Sequence, residues 1–306
     1  MINNKKVLVI GDVILDVWTY AKAIGLSLET PTLKAKFTKK EHTLGGTGNV
    51  VNNLKELGAD ITFLTLLGDD EYRKTYESIE GIKFHSVIES DRKNTVKERF
   101  WIERGGSNYK HLQINVIDNK AIKKSSIKEM IDNTKKLLNE DFDVIMLIDY
   151  RHGLFTKEFL NKLMPVLNKT EIPTIVSSQI SDYGRGLTSN HINFKGADLI
   201  VMNKLEAESV GDLTKIFDCD ICVTSGTGGS TLFTADNDYH KDIIEIEEVD
   251  PCGAGDSFIS CLSLMNWKES PNKSLYISNC WAGLSVQKHG TVCPEREELK
   301  PYLETL

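Results

Sequence analysis

Short apolar runs recur along the chain, separated by stretches in which apolar positions return every three or four residues. The runs are KKVLVIGD (5–12), ADITFLTLLGDD (59–70), FDVIMLIDY (142–150), IPTIVSS (172–178), ADLIVMN (197–203) and CDICVTSG (219–226). They are nearly continuously hydrophobic and rich in β-branched residues, as strands buried on both faces are. Over 49–57, Val50, Val51, Leu54 and Leu57 share a helical face, and Gly58 is placed to stop that helix. Ser126-Ile127-Lys128-Glu129 reads as a capping box, and Ile127, Met130, Ile131, Thr134, Leu137 and Leu138 then trace one face. Strand–helix alternation over this length predicts a mostly parallel sheet with helices on both sides.

Two segments break the rhythm. Residues 17–40 and 94–117 read as antiparallel strand pairs, forming a small β lid inserted in two pieces. In TVKERFWIER (95–104), Val96, Phe100 and Ile102 alternate with Lys97, Arg99 and Glu103, with Trp101 on the charged side. No repeat, low-complexity tract or linker interrupts the chain, so residues 1–306 read as one domain.

Charge and cysteines narrow the partners. Lys and Arg total 37 against 44 Asp and Glu, a net charge of −7. That balance argues against a surface built to wrap nucleic acid. No apolar run reaches the ~18 residues of a membrane span, and the start carries no signal-peptide architecture. The six cysteines (219, 222, 252, 261, 280 and 293) include one CxxC but no second pair at zinc-site spacing. The expectation is reduced thiols in a cytoplasmic protein.

The candidate chemistry lies at strand-to-helix junctions. There is no GxxxxGK[ST], and the first strand ends in Gly11-Asp12 rather than GxGxxG, against a P-loop or dinucleotide enzyme. VDPCGAGDSF (249–258) places Gly253, Ala254 and Gly255 before a helix, where bare amides and the end dipole attract anions. Such amides can stabilise charge on a transferring phosphoryl group, and Asp256 can take a proton from an acceptor hydroxyl. The same residues also fit an ordinary helix entry with an acid in its first turn. LGGTGNV (44–50) is a second glycine-rich entry, with Gly45, Gly46 and Asn49 available to a polyhydroxylated ligand. Asn203-Lys204-Leu205-Glu206 follows a strand; Glu206 can hold magnesium through water, or the segment is simply a helix start. Gly226, Gly228 and Gly229 form either a nucleotide-facing turn or a plain hairpin turn. His152 follows a strand end, where sites gather in doubly wound sheets.

Taken in order, these pieces resemble the ribokinase-like (PfkB) carbohydrate kinases: GD with Asp16 downstream, GG-x-x-N at 45–49, N-x-x-E at 203–206, G-x-x-G at 226–229, GAGD at 253–256 and Asn279-Cys280-Trp281-Ala282-Gly283. Within that family VLVIGDVILDVWTY, the ETP near residue 30, LGGTGNVVNNLKELGA and DYxxG at 149–153 are similar to the kinase part of bacterial heptose-phosphate kinases. The resemblance implies a three-layer α/β/α core with a mostly parallel sheet and an inserted β-sheet lid. It implies ATP and Mg2+, with a monovalent cation common among relatives. Asp256 would be the base and the 253–255 backbone the anion hole. Asp16, Gly45, Gly46, Asn49, Arg99, Asp149 and His152 would meet a sugar or sugar phosphate. Asn203, Thr224, Gly226, Gly229 and Asn279 would line the nucleotide, and Glu206 would serve the metal. A homodimer through the lid is compatible with it.

Three departures bear on the acceptor. Pro251 and Cys252 stand where threonines are usual, His152 replaces the lysine of DYxKG, and VSSQIS (176–181) replaces V-D-P-K. Lys97, Arg99, Arg104 and Lys110 on the lid offer substitute cations. A different acceptor (another sugar, a nucleoside or a polyol) and a non-catalytic binding relative therefore stay open beside a heptose phosphate.

Overall fold

The computed structural model describes residues 4–180, 189–288 and 290–304; Ser181 of VSSQIS lies outside them. The first half contains β1 (Lys6–Gly11), β2 (Val13–Leu26), β3 (Leu33–Gly46), α1 (Thr47–Glu56), β4 (Asp60–Gly68), α2 (Arg73–Glu77), β5 (Lys83–Glu89), β6 (Thr95–Arg104), β7 (Ser107–Val116), α3 (Lys124–Leu137) and β8 (Val144–Asp149). The second half contains α4 (Lys157–Leu167), β9 (Thr174–Ser178), β10 (Leu199–Asn203), α5 (Lys204–Val210), α6 (Leu213–Ile216), β11 (Asp220–Thr224), β12 (Ser230–Phe233), β13 (Asp238–Lys241), α7 (Ala254–Ser263), α8 (Pro271–Ser285) and α9 (Arg296–Leu303).

The large sheet runs β13-β12-β11-β10-β9-β8-β1-β4-β5, parallel from β11 to β5 and antiparallel at β12 and β13. Six of its nine strands, β1, β4, β8, β9, β10 and β11, are the apolar runs of the sequence, and alternate residues serve two cores. Val7 and Val9 join Val50, Leu54, Phe258 and Trp281 on one side, whereas Leu8 and Ile10 join Ile127, Met130, Phe159 and Leu163 on the other. That split is the period of two in a strand covered on both faces.

The lid is a second sheet, ordered β3-β2-β6-β7. Both expected strand pairs form, β2 with β3 and β6 with β7, and a parallel β2–β6 ladder joins them into one surface. The β2–β3 arms run further into the core than 17–40 suggested, from Val13 to Gly46, so β3 delivers Gly45 and Gly46 directly to α1. The Ser126–Glu129 capping box does not form. Helix α3 begins two residues earlier with Lys123 as its cap and no side-chain cap bond, so Ser126 is already inside the helix and buried. No described helix is long and apolar enough to cross a membrane, and all six cysteines are free thiols.

Candidate active site

The site lies at the carboxyl edge of the parallel strands, where α1 and α7 meet beneath the lid. Gly253 caps α7 with φ 89°, a left-handed conformation that suits glycine, and a Cβ there would stand 2.8 Å from Asn49 Nδ2. The Ala254 amide is turned back to the Pro251 carbonyl at 3.2 Å, closing the loop rather than facing a ligand. Of the three amides at 253–255 expected to face an anion, that of Ala254 is thus already paired, whereas none of the described residues accepts from the Gly253 N–H. Among the described residues the amides of Gly255 and Asp256 have no acceptor, as the first turn of a helix requires. A Cβ on Gly255 would meet no protein atom within 4 Å, so the space over this turn is open.

Asp256 is half-buried, and each carboxyl oxygen accepts one hydrogen bond. Asn49 Nδ2 donates to Oδ2 at 2.8 Å, and the Tyr150 hydroxyl donates to Oδ1. Burial pushes its pKa up to about 6, against the opposing pull of the Tyr150 and Asn49 bonds.

Three cavities lie around this carboxyl, which itself lines the smallest of them. The largest, about 1100 Å³, lies under the concave lid face; Trp18, Tyr20, Arg99, Trp101, Lys110 and Asn49 are among the residues lining it. Asp16 is buried behind the lining residue Arg99, its Oδ1 accepting from Arg99 Nη1 at 2.6 Å. Gly45 presses on the same carboxylate: a Cβ would sit 2.0 Å from Asp16 Oδ2. Arg99 also lies over the Trp18 ring, 5.7 Å from its centroid. Trp101 Nε1 is buried with no partner among the described residues. Of the other lid cations, Lys97 bears electrostatically on Asp256, whereas Arg104 is exposed at the β6–β7 turn.

A small cavity of about 90 Å³ follows, bounded by Asp149, Tyr150, Asn203, Glu206, Thr224, Gly255 and Asp256 among others. Here N-x-x-E forms a reciprocal capping box: Glu206 N–H donates to Asn203 Oδ1 at 2.9 Å, and Asn203 N–H to Glu206 Oε2 at 2.8 Å. Burial raises the Glu206 pKa to about 7. One carboxyl oxygen of Glu206 is left without a protein partner among the described residues, and no cluster of three ligating side chains occurs there. Such a set fits magnesium held through water and phosphate oxygens rather than a protein cage.

The third cavity, about 160 Å³ and mostly apolar, continues from Gly255 past Thr224, Gly226, Gly229 and Asn279. Asn279 is occupied structurally, accepting from Ser230 Oγ and donating to the carbonyls of Lys241 and Asp242. Ile243, Ile246 and Phe258 complete the walls. Ile243 and Ile246 escaped the sequence reading, because 242–249 forms no regular element whose period could expose its inward face, whereas Phe258 lies on helix α7.

Two expected acceptor contacts lie elsewhere. Asp149 faces the small cavity, and its Oδ2 already accepts from Ser178 Oγ at 2.9 Å and Asn190 Nδ2 at 2.7 Å, with Oδ1 taking the Arg151 amide. His152 is buried in a separate void of about 20 Å³ with Asp12, Arg92, Asn94 and Asp118, its Nδ1 3.0 Å from Asn119 Oδ1. Burial, with Lys97 and Arg92 nearby, lowers its pKa to about 4, so it is neutral at pH 7. His152 is therefore not among the residues lining the lid cavity.

Comparison with known proteins identifies the family and the fold. Residues 4–297 match the pfkB family carbohydrate kinase model. The bifunctional protein HldE of Aliarcobacter butzleri is 26% identical over all of this chain and 66% of its own length. HldE of Campylobacter jejuni subsp. doylei is 30% identical over 97% of this chain and 64% of its own. The chain thus spans about two thirds of the length of the relatives it matches. Phosphofructokinase-2 of Escherichia coli in complex with potassium superposes with a TM-score of 0.73 at 14% identity, covering 98% of this chain and 99% of that one. Arabidopsis thaliana ribokinase complexed with ribose and ATP gives 0.67 at 17% identity, with 99% of each chain covered. With its whole core matched and its strand-end loops in the family's order, this chain belongs to the pfkB family of carbohydrate kinases.

Proposed function

We propose that this kinase transfers the γ-phosphoryl group of ATP to a hydroxyl of a sugar phosphate resembling a heptose 7-phosphate. The observation that carries the reading is the position of Asp256. It lines the small cavity, is bonded to Asn49 of the lid cavity, and adjoins Gly255, which borders the nucleotide-side cavity. An acceptor under the lid and a donor beyond Gly255 would meet at this carboxylate.

In this reading the acceptor lies under the lid between Asp16 and the aromatic side chains of Trp18, Tyr20 and Trp101, which offer apolar faces to a sugar ring. Arg99 and Lys110 supply charge for an anionic substituent. Asp256 removes the hydroxyl proton as the oxygen attacks in line, and the Gly255 and Asp256 amides oppose the charge on the transferring group. Thr224, Gly226, Gly229 and the apolar wall from Ile243 to Phe258 flank the nucleotide. Magnesium, when bound, would neutralise phosphate oxygens, with Glu206 and Asn203 holding it through water.

The outer lid face exposes Phe37, Tyr109, Leu112, Ile114 and Val116, an apolar stripe that a second copy of the chain would cover. Light scattering should then give twice the chain mass, and Leu112→Glu should return it to the monomer.

The acceptor is tested by ADP release with matched sugars and sugar 7-phosphates. A kcat/KM at least tenfold higher for the phosphorylated member of a pair is expected; equal or reversed values would remove the sugar-phosphate assignment.

A further inference from the structure

The carboxylate of Asp256 is met from opposite sides by donors of different origin. On one side, Trp281 of α8, fully buried, donates its indole N–H to Asn53 Oδ1 at 2.8 Å. Asn53 Nδ2 donates to the Asn49 carbonyl at 2.8 Å and reaches Asn49 Oδ1 at 3.3 Å. Asn49 Nδ2 then donates to Asp256 Oδ2. On the other side, Tyr150, one residue past β8, donates its hydroxyl to Oδ1. An indole N–H can only donate and an ionised carboxylate can only accept. The two ends of the chain therefore set the direction of both amides between them. With the Asn53 oxygen claimed by Trp281, its nitrogen serves Asn49, and the Asn49 nitrogen is left for Asp256.

We propose that Tyr150 is a positioning residue for Asp256, clamping the carboxylate in one orientation against the Trp281–Asn53–Asn49 chain. The inference rests on Asp256 acting as the base. Each carboxyl oxygen retains a lone pair after accepting its clamp bond, so the acceptor's proton has a place to go while the clamp donors keep theirs. Besides Tyr150, the groups bearing on this carboxyl are Asp16 from β2, Lys97 from β6 and Cys252 from the loop before α7. Asp16 disfavours its ionised form and Lys97 favours it. Tyr150 differs from these because its hydroxyl bonds the carboxylate directly, and removing that hydroxyl leaves the ring and its packing in place.

The test compares kcat/KM against pH for wild type, Asp256→Asn, Tyr150→Phe and Asn53→Leu, with ATP and acceptor KM and thermal midpoints measured alongside. Tyr150→Phe should move the acid limb up by about one pH unit, the order of one hydrogen bond's effect on a carboxylate, and leave the ATP KM within about twofold. Asn53→Leu, which cuts the chain in its middle, should lower kcat without changing the ATP KM. An unmoved acid limb in Tyr150→Phe, with Asp256→Asn inactive, would overturn the clamp while leaving the base in place. Turnover retained by Asp256→Asn would instead remove the base assignment, and the clamp with it. Should Tyr150→Phe fail to fold, Asn53→Leu decides: unchanged kcat would overturn the clamp.

Discussion

Two groups of carboxyls, Asp256 on one hand and Asp12 with Asp149 on the other, stand at the same sheet edge, and they have opposite fates. Burial raises the pKa of Asp256 to about 6; burial and the neighbouring Asp149 raise that of Asp12 to about 8, and burial raises that of Asp149 itself. Asp149 is consumed by Ser178, Asn190 and the Arg151 amide, whereas Asp12 takes the amides of Tyr150 and His152 on Oδ2 alone and borders only the void of about 20 Å³ beside His152. Asp256 accepts only two bonds and opens on the small cavity. A raised pKa therefore marks burial in both groups; a base also needs spare acceptor capacity on a cavity with room for more than a single water, and Asp149 lacks the capacity while Asp12 lacks the room.

The sharpest way to break this contrast is to neutralise one carboxyl of each kind. Asp256→Asn should lower kcat by about 10²–10⁴ with both substrates saturating and little change in thermal midpoint. Asp149→Asn should do the reverse: a stability loss of about 1–3 kcal/mol by chemical denaturation, with kcat of the folded protein within tenfold of wild type. Equal kcat losses in the two variants would erase the distinction.

Next in size is Gly255→Ala. Its Cβ meets no protein atom, and alanine suits a helix better than glycine, so stability should rise by up to about 1 kcal/mol. A methyl at the open amide should still misplace the phosphoryl group and cut kcat by about 10–100-fold. Stability and activity moving together would argue against an anion site here.

A pH profile gives a gentler test. Ionised Asp256 is the active form, so log kcat/KM should fall with unit slope as pH drops below about 6, the Asp256 value.

The smallest effect belongs to His152, whose folded pKa of about 4 lies below the ordinary histidine value of 6.5. Between these values the unfolded state binds the extra proton, so its contribution is complete above pH 6.5 and disappears as pH falls toward 4. His152→Gln should flatten that acid loss by about 1–3 kcal/mol in denaturation at pH 5 against pH 7, with acceptor KM within about threefold. A larger KM change would return His152 to the acceptor site.

Hydropathy along the chain was sufficient for the parallel sheet, its two helical layers and the lid's strand pairs, because burial on one face or two leaves a period of 3.6 or 2 wherever an element forms. The loop chemistry was legible for a related reason: Gly45, Gly253 and Asp256 sit at strand-to-helix junctions whose residue types are dictated locally by turn geometry and exposed amides. Tertiary structure alone settled which carboxyls are open and which are consumed, that His152 lies outside the lid cavity, and that Ala254 spends its amide on Pro251. It also brought Tyr150, Asn53 and Trp281 to Asp256 from elements 106 and more residues apart in pairing. Polar partners at such separations leave no periodic trace, since their meeting depends on how independently formed elements pack and where each side chain then points.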